Sequence, residues 1–233
     1  MRFSTNQVAC AVALLCVGGI ASAGTEGDLR GLWKPQRYVA SIRTADGKVP
    51  PLLPGAAAVY KARVDARKAG KPTQDPLELC QPAGTPRSMY QMRPFMLVQT
   101  PHKVTLVHEW QHLVRHVPLD EKPTFEEPTW QGTSAGHWDN GALVIETAGF
   151  NGKTWLDEAG LPNSDQLKVT ERLSRSGKVL TDEITIEDPV NYSAPWKAKL
   201  TFEQVKGGDL AWHVCTEKLF PMPADARPGP PAN

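Results

Sequence analysis

The chain has 233 residues, with 26 Lys and Arg against 25 Asp and Glu and a formal net charge of +1. That balance lacks the basic excess of a nucleic-acid or anionic-membrane partner. No segment is long and apolar enough to span a bilayer comfortably, and the length suits one domain with a full-sized core.

The first 23 residues have the three parts of a secretory signal peptide. Arg2 supplies positive charge, Val8 to Ile20 is apolar, and Ala21-Ser22-Ala23 offers small residues for cleavage before Gly24. Neither Cys10 nor Cys16 follows a good lipoprotein sequence. The reading is an exported protein, periplasmic or secreted. Arg2 is the leader's one charged residue, so its removal leaves acids and bases equal. Cys80 and Cys215 then remain as an even pair in an oxidising compartment. They are expected to form a disulfide, for which loop-closure entropy gives roughly 4–5 kcal/mol. Two separate buried thiols are the alternative.

Residues 24–94 read as irregular, because Pro35, Pro50, Pro51, Pro54, Pro72, Pro76, Pro82 and Pro86 interrupt any long element. One surface helix is predicted from Gly55 to about Lys68, ending before Gly70. It would cap the domain.

From residue 95 to about 220 the chain reads as strand after strand. Phe95–Gln99 is short and apolar. Ala142–Thr147 follows the turn sequence Asp139-Asn140-Gly141. Leu167–Leu173 places Leu167, Val169, Glu171 and Leu173 on one face. After Ser176-Gly177-Lys178, Leu180–Ile186 groups Leu180, Asp182, Ile184 and Ile186. Lys199–Val205 and Leu210–Cys215 complete the set. Short strands separated by turn signals predict a mainly β fold, an antiparallel barrel or sandwich. The Pro- and Ala-rich tail 221–233 reads as disordered.

One motif points to metal chemistry. His108-Glu109-Trp110-Gln111-His112 matches the zinc-hydrolase pattern in which two His one helical turn apart bind zinc and Glu activates its water. Apolar residues at three- and four-residue steps, Leu106 to Val117, would support a helix. Against it, Pro101 and Pro118 box the segment, Val104-Thr105-Leu106-Val107 favours a strand, and no convincing third ligand follows. His116 lies one turn on along the same helix.

Longer motifs carry a resemblance. They are Cys80-Gln-Pro-Ala-Gly-Thr-Pro-Arg87, Pro128-Thr-Trp-Gln-Gly-Thr-Ser-Ala-Gly-His-Trp138, Leu143-Val-Ile-Glu-Thr147 leading to Phe150, Val169-Thr-Glu-Arg172, Ile184-Thr-Ile-Glu-Asp-Pro189 and Pro195-Trp196. From Cys80 to Glu217 the chain resembles a widespread group of exported, uncharacterised bacterial proteins with a lipocalin-like antiparallel barrel. Gly31-Leu32-Trp33 is similar to the tripeptide that opens lipocalins. The resemblance implies a fold rather than an activity. In that group the 108–115 stretch reads Tyr-Glu-x-x-His-x-x-Arg, matched by Glu109, His112 and Arg115, with His108 in place of Tyr. It implies a β-hairpin turning near Trp110–Leu113, with Glu109 and Arg115 facing each other. Asn163 stands where the group often has His.

Two sets of side chains are candidates for function. Glu109, His112, Arg115, Glu171 and Asp188 could form an acid-base cluster, with Arg115 clamping the inward-facing Glu171; a salt-bridge plug is the structural alternative. Trp130, Trp138, Trp196 and Trp212 could line a pocket for a small apolar or aromatic molecule, or could simply fill the core. Arg172, beside Glu171, is expected on the outer face. Three readings result: a small-molecule-binding barrel without a cofactor, a metal-independent lyase, isomerase or hydrolase, and a zinc hydrolase using His108 and His112.

Overall fold

A computed structural model of the protein describes residues 27–124, 127–211, 213 and 215. The expected leader 1–23, the tail 221–233 and Trp212 lie outside the described residues.

The fold is mainly β. Its strands are β1 (Gly31–Pro35), β2 (Phe95–Thr100), β3 (Lys103–His108), β4 (Val114–Pro118), β5 (Thr133–Asp139), β6 (Ala142–Ala148), β7 (Lys168–Ser176), β8 (Val179–Glu187) and β9 (Trp196–Val205). One helix, α1 (Pro54–Lys68), stands apart from them. All neighbours pair antiparallel in one sheet of order β4-β3-β2-β1-β9-β8-β7-β6-β5. Alternation sets the buried face. Leu180, Asp182, Ile184 and Ile186 of β8 are buried while Glu183 and Glu187 are exposed, so the apolar residues point to one core. Trp33, Phe95, Leu97, Leu143 and Phe202 fill its middle. Asn140 and Gly141 both take positive φ, 49° and 78°, which suits the two-residue turn of the β5–β6 hairpin.

Three expectations are corrected. The segment 24–94 is not wholly irregular, because β1 sits between β2 and β9 in mid-sheet. Among the described residues of 210–215 no strand is formed; an isolated bridge joins His213 to Trp110. The sheet is also not closed into a barrel. Nine strands that alternate in direction leave the two edges, β4 and β5, running the same way. Closure would need parallel pairing in an otherwise antiparallel sheet. Only an isolated parallel bridge, Leu119 to Gly136, spans this seam among the described residues, with Asp120 N donating to Gly136 O at 2.7 Å. Gly136 permits the approach: a Cβ there would lie 2.9 Å from Val117 Cγ1.

The helix forms as the sequence predicts, starting at Pro54 and stopping where Gly70 turns to φ 65°. Arg67 and Lys68 in its last turn suit the negative end of the helix dipole. It docks through Arg63, whose guanidinium lies 4.3 Å from the Trp155 ring and donates to Gly160 O at 2.9 Å.

The disulfide joins Cys80 to Cys215 across 135 positions, with Cα atoms 5.5 Å apart.

Candidate functional site

The 108–115 stretch forms a hairpin, not the helix that the zinc motif needs. β3 and β4 flank a turn in which Gln111 and His112 take positive φ. His108 ends β3 on the buried face, with its ring 5.7 Å from Phe95. His112 is in the turn, where Nε2 accepts from His213 N at 3.2 Å. The two rings therefore have different neighbours. Among the described residues no three His, Cys, Asp or Glu side chains are grouped to hold a metal ion.

Glu109 also serves the turn. Its carboxylate accepts from Ala211 N at 3.1 Å and from Arg93 at 3.4 Å. It does not face Arg115 across the strands, because Leu106 pairs with Arg115 in the register. Gln111 donates to Cys80 O at 3.1 Å from its side chain and to His213 O at 3.1 Å from its backbone. Glu109 and His112 thus fasten Ala211 and His213 to the hairpin, near the disulfide at Cys215.

Arg115 and Glu171 do meet. Strand alternation turns both inward from β4 and β7, where they are 4% and 0% exposed. Arg115 Nη1 donates to Glu171 Oε1 at 3.0 Å, and Nη2 donates to Oε2. Arg115 also donates to Ser134 Oγ at 2.9 Å and to Thr147 Oγ1 at 2.8 Å. The two hydroxyls lie 3.0 Å apart. Four strands, β4, β5, β6 and β7, supply this network, and it crosses the seam that the backbone leaves open. A buried guanidinium and carboxylate tolerate desolvation only with such saturation.

Sequence reasoning did not place two more residues beside this pair. Asp182 lies on β8, opposite Leu173, and is fully buried, and neither oxygen has a hydrogen-bond partner. Burial first, then the negative charge of Glu171, hold its pKa well above the carboxylate range against the pull of Arg115. The protonated form is favoured. Its place among Leu180, Ile184 and Ile186 was the available signal. His108 is the second. Burial and then the charge of Arg115 push its pKa down to about 3, opposed by a hydrogen bond with the Ser88 backbone. The ring is neutral at pH 7, and its Nε2 has no partner.

Asp188 belongs to another place. It accepts from Ser164 N and Oγ, both at 2.7 Å, and from Asn191 Nδ2 at 2.8 Å, pinning two loops together. Asn163 is likewise a clasp: with its amide oxygen toward Thr154 Oγ1 at 2.6 Å, its nitrogen reaches the Gly152 and Thr154 carbonyls. Arg172 points outward as expected and pairs with Asp139 at 2.6 Å. The five acid-base candidates are therefore divided among three locations: Glu109 and His112 in the hairpin turn, Arg115 with Glu171 in the core, and Asp188 between two loops.

The tryptophans divide too. Trp138 and Trp196 are buried in the core. Trp130 is half-buried and lines a cleft of about 390 Å³ at the seam, with Arg115, His116, Thr133 and Ser134. The cleft is lined by polar, aromatic and apolar residues, and that mixture can orient a small planar molecule.

No family model, curated protein or solved structure matches the chain.

Proposed function

We propose that the protein is an exported binder of a small apolar or aromatic molecule, built on a lipocalin-like sheet. The ligand sits in the cleft between β4 and β5. One observation carries the reading: Trp130 lines a cleft whose other lining residues include Arg115 and Ser134, hydrogen-bonded to each other at 2.9 Å. About 390 Å³ is within the range of small-ligand pockets. An aromatic ring would stack on the indole, and the hydroxyls of Thr133 and Ser134 would fix its orientation. The site is assigned to the seam because the centre of the sheet is filled by its own aromatics. The disulfide is compatible with an oxidising compartment.

The experiment is a titration of small aromatic compounds followed by tryptophan fluorescence and checked by calorimetry. A saturable binder should lose about tenfold or more in affinity in Trp130→Ala and keep most of it in Trp130→Phe. Binding that Trp130→Ala leaves unchanged would remove the cleft from the proposal. A broad screen with no binder would remove the proposal.

A further inference from the structure

A second cleft, of about 450 Å³, lies between the 36–48 loop and the outer face of β9. The loop leaves β1 and is tied to β9 at both ends. Gln36 N donates to Thr201 O at 3.1 Å, and Ala45 N donates to Lys197 O at 2.8 Å. Between these ties Ile42 is buried, with its N–H held by the Asp157 carboxylate at 3.0 Å. The loop tip is closed by Thr44 N donating to Lys48 O at 3.0 Å. The cleft is therefore preformed rather than assembled on binding.

Its walls carry Arg37, Arg43 and Lys199, with the Thr201 hydroxyl beside them. Arg37 and Arg43 form no ion pair or side-chain hydrogen bond among the described residues. Every other arginine among the described residues donates to a carboxylate or a carbonyl oxygen. Two carboxylates lie near the site, and each already faces a lysine, which leaves Arg37 and Arg43 as its unpaired cations. Asp46 is engaged by Lys48 at 2.7 Å, and Glu183 is 3.6 Å from Lys199. Arg37 and Arg43 both line this cleft and have no partner of their own among the described residues, and guanidinium forks suit the oxygens of a tetrahedral oxyanion.

We infer that this cleft binds a phosphate-type oxyanion, gripped by Arg37 and Arg43 with Lys199 as a third cation. The site is separate from the seam cleft and does not depend on Trp130. Because the cations are exposed, binding weakens as salt rises.

The test is calorimetric titration of the protein with inorganic phosphate, alongside flotation with vesicles of phosphatidic acid in phosphatidylcholine. Saturable phosphate binding is expected, about tenfold or more weaker in the Arg37→Ala, Arg43→Ala double variant. Arg30→Ala, remote and paired with Asp28, should leave it unchanged. Circular dichroism and the melting temperature of the double variant should match those of the parent. Vesicle binding that phosphate displaces and the double variant lacks identifies the oxyanion as a lipid headgroup and supports the site. The inference is overturned if neither probe binds, or if the folded double variant binds both as tightly as the parent does.

Discussion

Arg115 donates four hydrogen bonds inside the core, to Glu171, Ser134 and Thr147. Removing one charge strands the other. Arg115→Met should therefore destabilise the fold by about 3–5 kcal/mol, and the double variant Arg115→Met, Glu171→Leu should recover much of that loss. Urea denaturation of the three chains measures both, and a double variant no better than the single would show that the stranded carboxylate is not what costs the stability. His108 supplies a pH signature of the same core. Its folded pKa is about 3 against an ordinary 6.5. Between those values the unfolded chain holds the extra proton, so stability is full above 6.5 and falls as the pH drops toward 3. By pH 5 the loss from this ring is about 2 kcal/mol. In His108→Gln the difference in urea stability between pH 7 and pH 5 should shrink by about that amount. Asp182 works in the opposite sense, because its raised pKa favours the folded state as acid is added. The glutamine variant must therefore be compared with its own parent at each pH.

The β3–β4 hairpin shows what a sequence reveals and what it conceals. Its β-branched residues and flanking prolines opposed a helix despite the His-Glu-x-x-His spelling, but the hairpin and its turn at Trp110–Leu113 were expected from the resemblance and not from these residues alone. β7 and β8 were legible from alternation alone, and inward-facing Glu171 with them. What Glu109 and His112 do was not legible, because their partners, Ala211 and His213, lie about a hundred positions away. β1 was missed because five residues ending in Pro35 carry too little periodicity. Asp182 was placed on the right face but not nominated, since alternation cannot say whether a buried carboxyl finds a partner. The clasp on the hairpin turn is testable. Cys215 anchors the segment that accepts the Gln111 N–H through His213 O. Cys215→Ser should speed hydrogen exchange of the Gln111 amide by about tenfold or more while leaving β7 and β8 amides slow, apart from any global loss of stability. Unchanged exchange at Gln111 would mean that the hairpin turn holds the segment without the disulfide.

At the scale of the whole molecule, the decisive quantity is the parity of the strands. An even number of antiparallel strands closes with antiparallel edges, but nine leave β4 and β5 parallel, and among the described residues the backbone pairing across the seam is the isolated one of Leu119 and Asp120, just past β4, with Gly136. Leu119 N donates to His102 O and His108 N to Leu113 O, so the pairing phase turns the amides of Val114 and His116 away from β3 and toward the seam. The same seam holds the cleft and the Arg115 network, so local opening, ligand access and the buried ion pair share one boundary. Native-state hydrogen exchange should find Val114 and His116 among the fastest strand amides and the centres of β7 and β8 among the slowest. A saturating aromatic ligand in the cleft should slow exchange at Val114, His116 and Ser134 while leaving β8 and β9 unaffected. Slowing that fell instead on β1, β2 and β9 would place the ligand inside the sheet, and the core aromatics would then have to move to admit it.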